Sequence, residues 1–275
     1  MWHGFILLII YNNELFFRIY KSCLTKIIAQ LGGGQMKSYI LKIELIGSDP
    51  LIWRRVIMPA GATFKRLHDT IQGVTNFSSI LEDFHLYKFD LTDQENISVT
   101  NDEQAYLEQQ NVNPDLLLKK LEKVPIEFRE FERRRIERLL VKVRKPQSIK
   151  IDKYLEKYQE LNYMYDFGDG WRFTVKLEKV VDDYYFGYPT LLEGEQDAPP
   201  EDVGGIPGFY HFLEIFEDET HPEHDKIRKW AESQRYRPFN REDINGCIKN
   251  IHYKKTEWSK IKHRNYEVLE DKYVK

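Results

Sequence analysis

The chain has 275 residues, of which 41% are hydrophobic and 31% are charged, and its net charge is −3. This composition is typical of a globular protein rather than a disordered one, and the length suits one large domain or two small ones. The net charge by itself predicts binding to neither nucleic acid nor a membrane. Two cysteines, Cys23 and Cys247, exclude a disulfide framework and a cysteine-based zinc site, and they favour a reducing, cytoplasmic location.

The first 35 residues differ from the rest of the chain. Residues 4–11 form an apolar run that is far shorter than the roughly 20 residues needed to span a bilayer. No basic segment precedes this run and no cleavage site closely follows it, which argues against a signal peptide. Because Gly32-Gly33-Gly34 stands just before Met36, we interpret Met36 as the start and residues 1–35 as a non-native or disordered leader. The alternative is an amphipathic interfacial helix that ends at the glycines.

Two strands and a helix are predicted from Tyr39 onward. Leu41, Ile43 and Leu45 alternate with charged residues, which is the period of a half-buried strand. A turn at residues 47–50 leads to a second strand over 51–58. Thr63 is a suitable N-cap for a helix that runs to about Val74, and a third strand is predicted over 84–91.

The second half combines a charged insertion with a hairpin and further helices. Residues 101–160 are predicted to be helical and are highly charged. Strands over 161–167 and 171–181 flank Gly168-Asp169-Gly170, a favourable hairpin turn. Helices are then expected at about 208–217, 222–233 and 241–251, with Pro222 at a first helical position and Asn240 as an N-cap.

This element order predicts an α+β protein. We expect a β-grasp-like mixed sheet with one packed helix, a charged helical insertion and a C-terminal helical cluster. A single domain is predicted over residues 36–252, with the insertion at about 101–160 and a C-terminal tail at 253–275.

Several sequence blocks resemble the plasmid pRiA4b Orf-3-like family. They include Trp53-Arg54-Arg55, the helix segment 67–72, the hairpin Tyr165-Asp166-Phe167-Gly168-Asp169-Gly170-Trp171, the loop 199–205 and residues 221–224. The blocks stand in the family's order over about residues 39–250, whereas the long insertion and the tail depart from it. The family is largely uncharacterised. The resemblance implies an association with mobile elements, since some members are encoded on plasmids or carried by insertion elements under a resolvase-like label.

The hairpin carries two carboxylates, Asp166 and Asp169. Asp169 precedes a glycine in the turn, so its structural role as a turn residue competes with a functional one. Asp166 is flanked by aromatic residues in a strand and lacks an equally simple structural role. We expect it to pair with Arg54 or Arg55 from the second strand, both of which are candidate binding residues.

An acidic segment follows the hairpin. Between Asp182 and Asp202 there are seven carboxylates and no lysine or arginine. Pro199-Pro200 is expected to present Glu201 and Asp202 rigidly, and carboxylate oxygens favour a divalent ion such as Mg²⁺ or Ca²⁺. The alternative is a solvated loop in which Asp202 caps a turn.

Three histidines, His211, His221 and His224, lie among acidic residues. Imidazole and carboxylate groups together can hold a transition metal. The candidate metal ligands are therefore Asp166, Asp202, His221 and His224. The alternative is that the acidic residues around Pro222 complement the positive end of a helix.

A basic stretch occupies residues 119–150, with twelve Lys and Arg against five Asp and Glu. Arg133-Arg134-Arg135 at its centre are candidate contacts to nucleic acid phosphates or to an acidic protein partner. The alternative is a solvated helix face whose charges pair within the helix.

Two functions are consistent with these patterns. The favoured one is a non-catalytic binding module for nucleic acid or a protein partner, because no motif has a spacing that demands catalysis. The alternative is a divalent-metal-dependent enzyme that acts on a phosphate bond, with Asp166, Asp169, Glu201 and Asp202 as ligands or base. Convergence of Asp166, Asp202 and a histidine in one place would favour the enzyme.

Overall fold

The computed structural model describes residues 37–77, 85–184, 186–254 and 272–273. The expected leader at 1–35 lies outside these residues, as does most of the expected tail. The strands are β1 (Ser38–Leu45), β2 (Trp53–Pro59), β3 (Tyr87–Leu91), β4 (Ile97–Thr100), β5 (Lys142–Arg144), β6 (Glu160–Tyr165), β7 (Trp171–Val181) and β8 (Thr190–Glu195). The helices are α1 (Phe64–Val74), α2 (Thr92–Glu95), α3 (Glu103–Gln110), α4 (Pro114–Glu122), α5 (Ile126–Leu139), α6 (Asp152–Tyr158), α7 (Gly205–Glu217), α8 (His224–Ser233) and α9 (Arg241–Ile248).

The strands form a single sheet in the order β5-β4-β3-β6-β7-β1-β2-β8. Neighbouring strands are antiparallel except β4 and β5, which are parallel, so the sheet is mixed. The predicted α+β class is confirmed. The β-grasp-like description stays a prediction.

The sheet centre follows from the alternation in β1. Tyr39, Leu41 and Ile43 point into the main core and are at most 2% exposed, whereas Lys42 and Glu44 between them are only partly buried. Period-two alternation lets one face of a strand pack while the other meets solvent. This core therefore covers one face of the sheet.

Helix α1 packs its apolar side into that core through Leu67, Ile71 and Val74. The predicted N-cap is confirmed, because the Thr63 side chain accepts a hydrogen bond from the Arg66 amide at 3.3 Å. Helices α6, α7 and α9 add further residues to the same core. A smaller cluster forms around Ile40 and includes Tyr273, so the described end of the tail packs against the sheet.

Three expectations about elements are wrong. Strand β8 lies inside the acidic segment and pairs with β2, because Leu191 and Leu192 make its first half apolar enough to be buried. Strand β5 lies inside the insertion, which is therefore not helical throughout. Helix α8 begins at His224 rather than at Pro222.

Helices α3, α4 and α5 form the exposed part of the insertion. Ile136 is the residue that these three helices bury, so their stability depends little on the main core. Among the described residues, no helix is long and apolar enough to cross a bilayer.

Candidate metal centre

The hairpin between β6 and β7 provides the base of the candidate site. Tyr165 pairs with Trp171 at the last register position, and both side chains are at most 1% exposed. This pairing confirms the predicted hairpin and anchors the turn at residues 166–170. The turn therefore stands on a rigid, aromatic end of the sheet.

Asp166 begins the turn in a left-handed backbone conformation, with φ of +51°. The residue is only 7% exposed, and its Oδ1 accepts a hydrogen bond from the Gly168 amide at 2.9 Å. The Asp166 amide donates to the carbonyl of Leu86 at 3.0 Å. A non-glycine residue in this region costs about 1 kcal/mol, and such strain is concentrated at functional sites.

Asp202 lies on the neighbouring loop and has the same unusual backbone, with φ of +54°. Pro199 and Pro200 are buried before it, and Glu201 is only 6% exposed, whereas Asp202 is exposed. The loop is therefore anchored and presents the Asp202 carboxylate at its surface. The proline pair predicts that Glu201 and Asp202 are presented rigidly.

His85 lies between the carboxylates of Asp166 and Asp202. Its Nδ1 is 3.7 Å from Asp166 Oδ1 and its Nε2 is 3.6 Å from Asp202 Oδ1. These separations are too long for direct hydrogen bonds. The three residues thus converge without bonding directly to one another.

The convergence is wider than a formed metal centre. One ligand atom from each of His85, Asp166 and Asp202 lies within 4.8 Å of the other two. Two atoms that both lie about 2.1 Å from a tetrahedral ion are separated by about 3.4 Å. Small side-chain rotations would therefore bring all three ligand atoms into one coordination sphere.

Glu201 supports the site from the buried side. Its Oε1 accepts a hydrogen bond from the Tyr165 hydroxyl at 2.8 Å, and its Oε2 is 3.9 Å from His85 Nε2. The His85 ring also meets the Tyr165 ring edge-on, with centroids 5.7 Å apart. Tyr165 thus contacts both His85 and Glu201 and holds them in position.

Asp169 joins the hairpin to the loop. Its Oδ2 accepts a hydrogen bond from the Gly204 amide at 3.1 Å, and a Cβ on Gly205 would lie 2.7 Å from the Asp169 carbonyl oxygen. Gly205 has φ of +69°, so glycine is required there for both space and conformation. The structure thus gives Asp169 a clear positioning role.

The expected pairing of Asp166 with Arg54 or Arg55 is wrong. Arg54 is 2% exposed and donates to the carbonyls of Val74, Trp53, Glu195 and Gln196. Its burial lowers the pKa of its guanidinium to about 10. Arg55 instead pairs with Glu178 on β7 and Glu193 on β8. Arg54 is thus too buried to contact a partner, and the predicted binding role of Arg55 stays untested.

The histidines predicted as ligands lie elsewhere. His221 Nδ1 accepts from the Glu223 amide at 3.1 Å, and His224 Nδ1 is 3.1 Å from the Ile215 carbonyl oxygen. His211 Nδ1 lies 3.6 Å from Glu214 Oε2. In the described part of the chain, none of them joins a cluster of metal-ligating side chains, and the alternative role in helix entry fits their contacts better.

The arginine triplet of the insertion is exposed and paired within α5. Arg133 pairs with Glu137, Arg134 with Glu130 and Arg135 with Glu132, at 2.8 to 3.1 Å. The hydrogen bond that Arg133 donates to the Glu137 carboxylate raises the pKa of Arg133. This arrangement matches the alternative prediction of a solvated helix with internal ion pairs.

The sequence-based prediction missed His85 as a site residue. The signal was strand pairing: β3 and β6 are antiparallel with Tyr87 opposite Tyr165. The residues just before β3 therefore lie next to those just after β6. Predicting that register from the two aromatic strands would have placed His85 beside Asp166.

The chain matches a family model described as plasmid pRiA4b ORF-3-like protein over residues 37–246. That range covers the whole candidate centre and the insertion. An uncharacterised protein from Sinorhizobium fredii, y4hQ, is 28% identical over 196 residues, which are 71% of this chain and 81% of that protein.

A solved structure has a similar fold. It is the crystal structure of a protein of unknown function, MM3350, from Methanosarcina mazei Go1, with a TM-score of 0.54 and 26% sequence identity. The similarity covers 76% of this chain and 98% of that chain. Both relatives are described as uncharacterised or of unknown function.

Proposed function

Since the chain belongs to the plasmid pRiA4b ORF-3-like protein family, whose matched relatives have no stated activity, we propose a function from its own site: His85, Asp166 and Asp202 bind a divalent metal ion that activates water to hydrolyse a phosphate ester. The observation that carries this proposal is the convergence of their ligand atoms within 4.8 Å. The left-handed backbone of Asp166 and Asp202 supports it, because it fixes the direction of both carboxylates at one site.

The donor set favours a transition ion. Imidazole nitrogen suits Zn²⁺ and Fe²⁺, and carboxylate oxygen suits Mn²⁺ and Mg²⁺. One histidine with two aspartates therefore fits Zn²⁺ or Mn²⁺ better than Ca²⁺, which takes oxygen ligands. Three protein ligands leave a coordination position for water, whose pKa a bound Zn²⁺ lowers to about 7.

Glu201 is the candidate base beside that water. It is nearly buried, and Tyr165 orients it toward His85. A carboxylate held by one oxygen can accept a proton on the other. Asp169 is instead a positioning residue, because its Oδ2 accepts from the Gly204 amide and it is not among the residues that converge with His85.

The start of α7 supports an anionic substrate. The helix begins at Gly205, three residues after Asp202. In the described structure no side chain accepts from the first amides of the helix, and the Asp169 carboxylate accepts from the Gly204 amide just before them. Amide groups at a helix N-terminus attract phosphate groups. A phosphate ester bound there would lie next to the proposed ion.

Isothermal titration of the metal-free full chain with Zn²⁺ and with Mn²⁺ tests the metal centre. We expect one ion per chain and at least ~100-fold weaker binding in His85→Gln and Asp166→Asn. Asparagine tolerates the left-handed conformation of Asp166, so that variant should fold. His221→Ala is the matched control and should bind as the wild type does. Equal binding by all four proteins would refute the site.

Hydrolysis of bis(p-nitrophenyl) phosphate by the loaded protein tests the reaction separately. Activity should require the ion and should fall about 100-fold or more in Glu201→Gln, which keeps the ligands. A protein that binds the ion and leaves the ester intact would retain the metal centre and refute the phosphate chemistry.

A second candidate function is binding of nucleic acid or an acidic protein by the insertion. Its support is the exposure of Arg133, Arg134 and Arg135, whose side chains are 58% to 73% accessible. Their pairing with glutamates on the same helix weakens this support, because the phosphates of a ligand would have to replace those carboxylates.

A further inference from the structure

Helix α5 exposes large apolar side chains on the surface of the insertion. Ile126, Phe128 and Phe131 are 81%, 61% and 70% exposed, and Leu116 and Leu118 of the adjacent helix α4 are also exposed. Exposed apolar residues that are grouped on neighbouring helices are typical of an interaction surface, whereas single ones are common.

The exposed residues of α5 follow a helical stripe. Phe128, Phe131 and Arg135 are spaced i, i+3 and i+7, so they share one side of the helix. Ile136, the buried residue of α5, faces a different direction. The stripe is therefore free of the contact that holds α5 to the rest of the domain.

The charges of α5 are divided between its two halves. Residues 127–132 contain three glutamates and one arginine, which gives 1 − 3 = −2. Residues 133–138 contain four arginines and one glutamate, which gives 4 − 1 = +3. This order complements the helix dipole, but the dipole does not account for the exposed phenylalanines.

We infer that α5 pairs with α5 of a second copy of this chain, antiparallel about a two-fold axis. In such a dimer every contact occurs twice, so the surface must complement itself. Antiparallel pairing brings Glu127 and Glu132, which flank the stripe, near Arg138 and Arg135 of the other copy. Phe131 of both copies then lies near the centre of the interface, and Phe128 lies on either side of it.

A nucleic acid is a poorer occupant of this surface. Helix α5 carries four glutamates and five arginines, so its net charge is 5 − 4 = +1. The carboxylates would repel phosphates, and three of the arginines already pair with glutamates of the same helix. Such exposed pairs contribute little and can be exchanged for pairs across an interface at small cost.

The same charges argue against an anionic membrane surface. Interfacial helices present a polar face rich in Lys and Arg beside their apolar face. Here the charges beside the stripe are acidic at Glu127 and Glu132 and basic at Arg135 and Arg138, so a lipid headgroup layer would meet both signs. A second copy matches both signs at once.

The test is the mass of the full chain in solution, measured by sedimentation velocity over a range of protein concentrations. The wild type should form a dimer, and Phe128→Ser/Phe131→Ser should weaken it by at least ~100-fold. Ile46→Ser, which changes an exposed apolar residue in the turn after β1, is the matched control and should leave the dimer intact. A wild type that stays monomeric throughout would overturn the inference.

A charge exchange tests the antiparallel arrangement. One variant carries Glu127→Arg and Glu132→Arg, and the other carries Arg135→Glu and Arg138→Glu, which are the charged residues beside the stripe. Each variant alone should be monomeric, because like charges then face each other, and an equimolar mixture should recover the dimer mass. A mixture that stays monomeric overturns the arrangement, as does a mass increase that occurs only when a DNA oligonucleotide is added.

Discussion

The candidate metal centre and helix α5 hold their charged side chains in different ways. At the candidate metal centre, Asp166 and Glu201 are nearly buried and are held by a backbone amide and a tyrosine hydroxyl. On α5, the charged side chains are exposed and pair with one another along the helix. Both regions are rich in charged residues, but only the candidate metal centre buries charged side chains.

That difference distinguishes a site that the fold positions from a solvent-exposed helix surface. A buried carboxylate is costly unless nearby groups support it, and a left-handed aspartate adds strain. The fold accepts both costs at residues 166 and 201–202. An exposed ion pair on a helix costs almost nothing to form and is worth correspondingly little. Charge density alone is therefore a weak guide to function, whereas supported burial is a strong one.

The largest predicted contrast is in stability. Trp171→Ala removes a side chain that is 1% exposed and should lower the free energy of unfolding by about 3–5 kcal/mol. Phe131→Ala on α5 should change it by no more than about 0.5 kcal/mol in dilute solution, where the chain is monomeric. Urea unfolding followed by tryptophan fluorescence and by circular dichroism measures both. Similar losses in the two variants would contradict the contrast.

Removal of the metal should reveal the next largest effect. An ion that binds the folded state at about 100 times its Kd adds about 2.7 kcal/mol to the free energy of unfolding. We expect Mn²⁺ or Zn²⁺ to raise the unfolding temperature and EDTA to reverse the rise. Asp202→Asn should abolish this response, and Asp218→Asn, an exposed aspartate beside His221, should keep it. A response that survives Asp202→Asn would place the ion elsewhere.

Local patterns predicted much of the fold. The hairpin at residues 165–171, the Thr63 cap and the alternation in β1 all depend on neighbouring residues, and the structure confirms them. The Asn240 cap is confirmed as well, since its side chain accepts from the amides of Glu242 and Asp243. Turn and capping chemistry is local, which is why a sequence reveals it.

Partners across the sheet were not predictable in the same way. His85 reaches Asp166 only through the pairing of β3 with β6, two strands that are separated by the whole insertion. Arg54 was expected near Asp166, but its strand β2 lies three positions away from β6 in the sheet. The residue types of the site were evident, but the register that joins them is a property of the tertiary structure.

A smaller effect should follow from Tyr165→Phe. This change removes the hydroxyl that donates to Glu201 and should lower the free energy of unfolding by about 1–3 kcal/mol. Because Glu201 lies beside His85, metal affinity should also fall, by about 10-fold. Tyr163→Phe is the matched control, since the Tyr163 hydroxyl contacts His68 and Gln72 instead. Tyr163→Phe should lower the free energy of unfolding and leave metal affinity unchanged. A loss of metal affinity in both variants would show that the effect of Tyr165→Phe on affinity comes from a general loss of stability.

Glu95 offers a comparison with the ion pairs of α5, because its partners lie on another element. Hydrogen bonds from Tyr158 and then Lys157 lower the pKa of Glu95 to about 2. A carboxylate with a lowered pKa stabilises the fold above its unfolded value of about 4.3, and this contribution is lost as the pH falls toward 2. Glu95→Gln should therefore lower the melting temperature at pH 6 and have little effect near pH 2. A difference between wild type and variant that is independent of pH would contradict this assignment.

The smallest effect should come from the arginine triplet. Each phosphate contact contributes about −0.9 to the slope of log affinity against log salt for DNA, so three contacts would contribute about −2.7. Arg133→Ala/Arg134→Ala/Arg135→Ala should change that slope by much less, because three glutamates already neutralise these side chains. Salt-dependent retention on immobilised DNA measures the slope, and Lys119→Ala/Lys120→Ala/Lys123→Ala on and just after α4 is the comparison, since it removes the same number of charges. If the magnitude of the slope fell by nearly three in the triplet variant alone, that result would show that α5 binds phosphates. The exposed helix, rather than the buried carboxylates, would then be the main binding surface of the molecule.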